Sequence, residues 1–185
     1  MYGLHRQDGQ ERQPDDFYAT HPSAIPPLMR ILGWESGSKY IWEPCCGQGH
    51  LSETMRLYGH KVLSTDLIDR GYGISGIDFL KPTPFDIEPF DAIITNAPYK
   101  YALECVKRSL ELAPIACHFL NIKFLESGKR KEFFQNYPPR YVAVFSERVP
   151  CSKDGKFPKT ESSTVCYAWY IWYRGFKGNP EILWI

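Results

Sequence analysis

Tyr40-Ile41-Trp42-Glu43-Pro44-Cys45-Cys46-Gly47-Gln48-Gly49-His50 changes character twice in a short span. Tyr40 to Trp42 are apolar and run into an acid, Glu43, as a strand leaving a sheet does. One proline and two glycines follow, a turn whose backbone has room to approach a ligand closely. From Leu51 to Tyr58 the pattern is helical, and Gly59 closes it. Strand, glycine turn and helix in that order aim a helix N-terminus at a nucleotide-like ligand. Gly-x-Gly alone is a weak signal. It sharpens with Lys61-Val62-Leu63-Ser64-Thr65-Asp66, a second apolar run ending in an acid 19 residues after Gly47. An acid about 20 positions past such a loop is placed to bind ribose hydroxyls.

Downstream, past Gly71 and Gly73, Ile77-Asp78-Phe79-Leu80 sets a carboxylate beside an apolar pair, suited to an exocyclic adenine amine. Pro82, Pro84 and Pro89 mark a loop. Then Asp91-Ala92-Ile93-Ile94-Thr95 predicts a strand that ends in Asn96-Ala97-Pro98-Tyr99. Asn96 offers a carbonyl acceptor, and the main-chain oxygen of Ala97 a second beside it. Pro98 holds Ala97 extended and gives no N–H of its own. Tyr99 offers a flat face for stacking. Two acceptors beside an aromatic platform suit a planar –NH2 group, although Asn-x-Pro-Tyr in isolation is an ordinary turn.

Upstream, residues 1–16 are polar and aperiodic, and a flexible segment is expected there. Phe17-Tyr18-Ala19-Thr20-His21-Pro22 leads into a helix from Ser23, its expected N-cap, to Leu32, stopped by Gly33. Beyond the Asn96 loop the alternation continues: helix 101–112, strand 115–122, helix 128–137, strand 140–146, a polar loop 148–164 and strand 165–173. Strands alternating with helices predict an α/β domain with a largely parallel sheet covered on both faces. The last two strands have no helix between them and are free to pair antiparallel. With no repeat, linker or low-complexity tract, 17–185 is expected to be one domain without a separate target-recognition domain. Trp34, Trp42 and Trp184 suit the core. Trp169 and Trp172 fall on opposite faces of their strand, so one can face the target pocket and the other the helices.

Composition bounds the function classes. The chain has 185 residues, 43% hydrophobic and 15% aromatic, enough for a substantial core. No run of about 18 apolar residues is present and the N-terminus is polar, so neither membrane span nor signal peptide is expected, and the cytoplasm is the default compartment. The six cysteines form no C-x-x-C pair, which argues against zinc and for free thiols. Cys45 and Cys46 suit packing near the glycine loop. Charge is uneven: residues 1–122 carry 11 Lys/Arg against 15 Asp/Glu, whereas residues 123–177 carry 11 against 5. A basic half suits a phosphate-bearing partner. A solvated surface explains it equally well.

Taken together these residues resemble the class I S-adenosylmethionine-dependent methyltransferases, in particular the amino-methyltransferases with an (Asp/Asn/Ser)-Pro-Pro-(Tyr/Phe) loop. Phe17 to Pro22, Asn96 to Tyr99 and the tail Ala168-Trp169-Tyr170-Ile171-Trp172 are similar to small phage or prophage DNA N6-adenine methyltransferases. The resemblance runs from about Phe17 to the end. It implies a Rossmann-like fold: a mostly parallel seven-stranded sheet, helices on both faces and an antiparallel last strand. It further implies S-adenosylmethionine as cofactor, held by Tyr18, Thr20, His21 and Pro22 over the methionine end, by Glu43, Pro44, Cys45, Gly47 and Gly49 in the glycine loop, by Asp66 at the ribose, and by Asp78 and Phe79 at the adenine. Asn96, Ala97, Pro98 and Tyr99 match the target-amine loop, with Asn96 also beside the cofactor. Ala97 departs from the usual proline, which preserves the carbonyl and relaxes the backbone.

The implied reaction needs no strong base. Asn96 and the Ala97 carbonyl draw the amine lone pair toward the methyl group, and positioning supplies most of the gain. The implied partner is DNA, its target adenine flipped out or single-stranded. Lys129, Arg130 and Lys131, with Arg148, Lys153, Lys156 and Lys159, are the candidates for phosphate contact. Other readings are an RNA base (adenine N6 or guanine N2), a protein glutamine N5, or a cofactor-binding module without turnover. No metal is implied.

Overall fold

The computed structural model describes residues 17–152, 155–157 and 165–185. Segment 1–16, expected to be flexible, lies outside the described residues, as do Lys153 and Lys159. In chain order the elements are β1 (Ala19–Thr20), a 3-10 turn (Pro22–Ala24), α1 (Ile25–Leu32), β2 (Tyr40–Glu43), α2 (His50–Leu57), β3 (Lys61–Ser64), β4 (Ala92–Thr95), α3 (Ala102–Leu112), β5 (Ile115–Asn121), α4 (Gly128–Asn136), β6 (Tyr141–Val144), β7 (Cys151–Ser152), β8 (Tyr167–Tyr173) and β9 (Glu181–Trp184).

Seven of these strands form one sheet in the order β3-β2-β4-β5-β8-β6-β9. β3, β2, β4 and β5 run parallel, as strands joined by helices must. β8 enters antiparallel between β5 and β6, and β9 then pairs parallel to β6 at the edge. The strands read as unbroken apolar runs because both faces are covered. Ile41, Ala92, Ile94, Phe119, Trp169 and Ile171 pack on one face under α1 and α2. Their alternates Ala116, Tyr170 and Trp172 meet α3 and α4 on the other face, where Trp42 and Ile93 pack with Phe79 and Phe90. β1 and β7 form a separate two-stranded antiparallel ribbon.

Three expectations change. Ser23 does not cap α1: it lies inside the preceding 3-10 turn, which His21 caps by accepting from the Ser23 N–H at Nδ1 at 3.1 Å, and α1 itself follows Ala24 without a side-chain cap. Trp184 is 75% exposed, on the outer face of the edge strand β9. Trp169 and Trp172 do face opposite sides, yet both are core: Trp169 Nε1 donates to the Ala24 carbonyl at 2.7 Å and Trp172 Nε1 to that of Tyr137 at 3.0 Å. Gly33 stops α1 with φ +68. Among the described residues no helix is long and apolar enough to cross a membrane.

Candidate active site

Because β2 lies between β3 and β4, the segments that follow these three strands emerge side by side at one end of the sheet. This is where open α/β sheets hold ligands. The glycine loop follows β2, Asp66 follows β3, and Asn96 follows β4.

The loop is tied to the end of β3. Thr65 N–H donates to the Glu43 carbonyl and Cys46 N–H to that of Thr65, both at 3.0 Å. Asp66 accepts from the Gly47 N–H at 2.8 Å through one oxygen and from the Ile68 N–H at 2.9 Å through the other. Gly47 has φ +54, and a Cβ there would fall 2.4 Å from the Phe17 ring. The ring of Tyr72 lies as close over Gly49. Arg70 in turn stacks on Phe17, its guanidinium carbon 4.0 Å from the ring centroid. Arg70 and Tyr72 went unread in the sequence; Tyr72 stands between Gly71 and Gly73, the one signal that the chain turns there.

Glu43 and Pro44 are buried beneath the loop. Glu43 Oε2 accepts from the Ser52 hydroxyl on α2, which itself lies 2.6 Å from the Ser64 hydroxyl. Burial pushes the Glu43 carboxyl up to about 8. The carboxyl thus joins α2 to β3 from below. Contact with Cys105, together with burial, holds the Cys45 thiol well above its ordinary range, and burial pushes the Cys46 thiol up to about 12. Both stay protonated and serve as packing groups. Asp78 remains at the rim, accepting from the Leu80 N–H at 3.1 Å and pairing with Lys81 at 3.2 Å. Phe79 turns inward, edge-on to Trp42 at 5.1 Å.

Asn96 is the best-defined polar group of the site. Its Nδ2 donates to the main-chain oxygen of Tyr18 at 3.2 Å and to the Thr20 hydroxyl at 2.8 Å. A backbone carbonyl can only accept, so the orientation of the carboxamide follows: the amino end faces β1 and Oδ1 faces the other way. Ala97 is buried with Trp42, Phe79 and Cys105. Pro98 is extended at φ −53, ψ 128, and Tyr99 is 43% exposed. His21 and Pro22 continue from β1; the His21 ring stands edge-on to Phe157 at 4.9 Å, and His50 meets the same ring at 5.2 Å.

No family model matches the chain, and no curated protein matches it in sequence. Solved structures do match. A Listeria monocytogenes protein assigned to the class I S-adenosylmethionine-dependent methyltransferases superposes with TM-score 0.61 at 13% identity, over 88% of this chain and 62% of that one. A modification subunit assigned to a type I restriction enzyme of Vibrio vulnificus gives TM-score 0.59 at 12% identity, over 91% of this chain and 47% of that one. Magnesium protoporphyrin IX methyltransferase of Synechocystis, solved with bound S-adenosylmethionine, gives 0.53 at 12% identity, over 83% and 78%. The fold is that of the class I methyltransferases. The chain spans less than two thirds of the Listeria protein and about half of the Vibrio subunit.

Within this methyltransferase fold the basic candidates belong to separate elements. Lys129 and Lys131 are exposed on α4. Arg130, between them, is engaged: it donates to the carbonyls of Phe124, Lys123 and Glu126 at 2.7, 3.2 and 3.1 Å and lies over the Phe124 ring. Arg148 precedes β7 and Lys156 follows it, both exposed. Among the described residues no three His, Cys, Asp or Glu side chains gather to hold a metal.

Proposed function

We propose that this chain is an S-adenosylmethionine-dependent N-methyltransferase acting on the exocyclic N6 amine of adenine in DNA. The observation that carries the reading is the Asn96 carboxamide, whose amino end is taken up by Tyr18 and Thr20. That leaves its acceptor end to the substrate, which in this reading meets it together with the Ala97 carbonyl and the exposed Tyr99 ring. An –NH2 group has hydrogens to give and finds two acceptors; a hydroxyl or thiol would leave one unmet.

The residues fit the proposed cofactor. Asp66 stands at the loop edge where ribose hydroxyls would lie, Asp78 is at the rim for an adenine amine, and the Phe17 and Tyr72 rings lie directly on the glycine backbone as apolar walls of the loop. S-adenosylmethionine, when bound there, supplies the methyl group. Asn96 Oδ1 and the Ala97 carbonyl accept from the amine and hold its lone pair out of ring conjugation. Tyr99 stacks on the base and repays part of its unstacking. The gain comes from positioning. The excess of basic residues in 123–177 favours a polyanionic substrate over a protein side chain.

The test is nucleoside mass spectrometry of DNA incubated with the protein and S-adenosylmethionine, beside Asn96→Ala. N6-methyladenine from the wild type alone is the expected result. Methylation of RNA but not DNA would change the substrate, and cofactor binding without any methylated product would overturn the enzymatic reading.

A further inference from the structure

We infer that the Tyr18 carbonyl sets which end of the Asn96 carboxamide faces the substrate and that Thr20 is the positioning residue that holds the carboxamide in that setting, with the β1–β7 ribbon as its brace. The inference rests on the proposed transfer to an amine. A carboxamide is nearly symmetric in shape, so turning it over exchanges acceptor for donor with little change in packing. Turned the wrong way, Asn96 would set its own –NH2 against the substrate amine. The site therefore needs a device that distinguishes the two ends.

β1 supplies it. The two hydrogens of Asn96 Nδ2 meet two acceptors, the Tyr18 carbonyl and the Thr20 hydroxyl. Reversal would place Oδ1 against the Tyr18 carbonyl oxygen and lose that bond with nothing to replace it. These acceptors lie 78 and 76 residues away along the chain, so nothing local to the Asn96 loop holds them in place. The ribbon does. Ala19 pairs with Ser152 and Thr20 with Cys151, and the His21 N–H donates to the Pro150 carbonyl at 3.0 Å. Thr20 is buried and sits opposite Cys151 in the ribbon. Its β-branched side chain has a stiff χ1 that fixes where the hydroxyl points.

Thr20→Val keeps the shape and removes the acceptor; Thr20→Ser restores a hydroxyl. Two readouts are needed: steady-state kinetics with calorimetric S-adenosylmethionine affinity, and hydrogen exchange of the Asn96 side-chain amide by NMR, its signals assigned by their loss in Asn96→Ala. Thr20→Val is expected to lower kcat roughly 10–100-fold at unchanged cofactor affinity, as a small misplacement does. Its Asn96 amide should exchange roughly tenfold faster. Thr20→Ser should recover most of both. Weakened cofactor binding with kcat intact would overturn the inference by making Thr20 a cofactor contact, and unchanged amide exchange would do so by showing that the Tyr18 carbonyl holds the carboxamide without Thr20. Absence of product from the wild type would instead sink the proposed function, and the exchange result would still decide the role of Thr20.

Discussion

Gly73 and Gly47 both sit at positive φ, yet they are constrained by different things. At Gly73, φ +68, an added Cβ would fall 2.6 Å from the Ser64 carbonyl oxygen. That oxygen accepts from the Ile74 N–H at 2.9 Å and belongs to the end of β3, so it cannot step aside. At Gly47 the obstacle is the Phe17 ring, a side chain that can swing. Alanine at either site carries the left-handed penalty of about 1–2 kcal/mol. Gly73→Ala is therefore expected to cost clearly more than that, and Gly47→Ala about that amount, in urea unfolding. The order reverses for ligand binding. Gly47→Ala displaces Phe17 from the loop and should weaken S-adenosylmethionine binding in calorimetry at a temperature where the variant is folded. Equal affinity in Gly47→Ala would mean that neither Phe17 nor a bare loop at this position is needed for the cofactor.

At the scale of elements, one side chain joins α3 to the loop that follows β3. Arg108 donates through Nε to the Phe79 carbonyl at 2.8 Å, and through one terminal nitrogen to the Lys81 carbonyl at 2.9 Å and the Asp86 carboxylate at 2.6 Å. Its side chain is only 17% exposed. A planar fork can reach three acceptors; a lysine ammonium cannot reproduce that geometry. Arg108→Lys should cost about 1–3 kcal/mol in chemical denaturation. It should also weaken binding of adenosine more than of methionine, because Asp78 and Phe79 lie on the tethered loop. Equal loss for both fragments would place the adenine elsewhere. The main elements were legible in the sequence: α1 to α4 and the six strands from β2 to β8 that join the main sheet fall close to their expected bounds, since strands covered on both faces leave short unbroken apolar runs and α1, α2 and α3 leave a helical period, whereas α4, polar but for Phe133 and Phe134, was placed by its flanking strands. The ribbon was not, because two-residue strands have none. Nor was β9, where the exposed Ile182 and Trp184 are as apolar as Leu183 and Ile185, which pack on the core, so that no polar residue marks the outward face. Within the site, the placement of the glycine loop, Asp66 and Asn96 at one end of the sheet was legible. Side-chain direction was not: Glu43 turning to Ser52, Arg130 spent on carbonyls and Arg108 reaching back 22 to 29 residues have no signature in the chain.

Over the whole molecule, buried ionisable groups of opposite kinds should give stability two pH limbs. His118 on β5 is fully buried with Nε2 3.0 Å from the Ser109 hydroxyl, and burial pushes its imidazole from 6.5 down to about 3. His60, bonded to the Trp34 carbonyl, is pushed down by the same cause. In each case the unfolded chain takes up the proton first, so the contribution is present above 6.5 and is lost as the pH falls toward the folded value. Glu43 works the other way. Its carboxyl is raised from 4.5 to about 8, so the folded chain keeps a proton the unfolded chain has released. That contribution is complete below 4.5 and is lost as the pH rises through about 8. Between 4.5 and 6.5 the slopes oppose each other, and the thermal midpoint should change least there, falling on both sides. Glu43→Gln keeps an acceptor for Ser52 and removes the titration, so it should flatten the fall between 6.5 and 8 while leaving the acid limb in place. His118→Gln should make the acid limb shallower without abolishing it, since His60 remains. Scanning calorimetry across the range at fixed ionic strength separates the cases. If Glu43→Gln keeps the wild-type fall on the alkaline side, the proton released there comes from another group, and Glu43 is already ionised beneath the glycine loop at neutral pH.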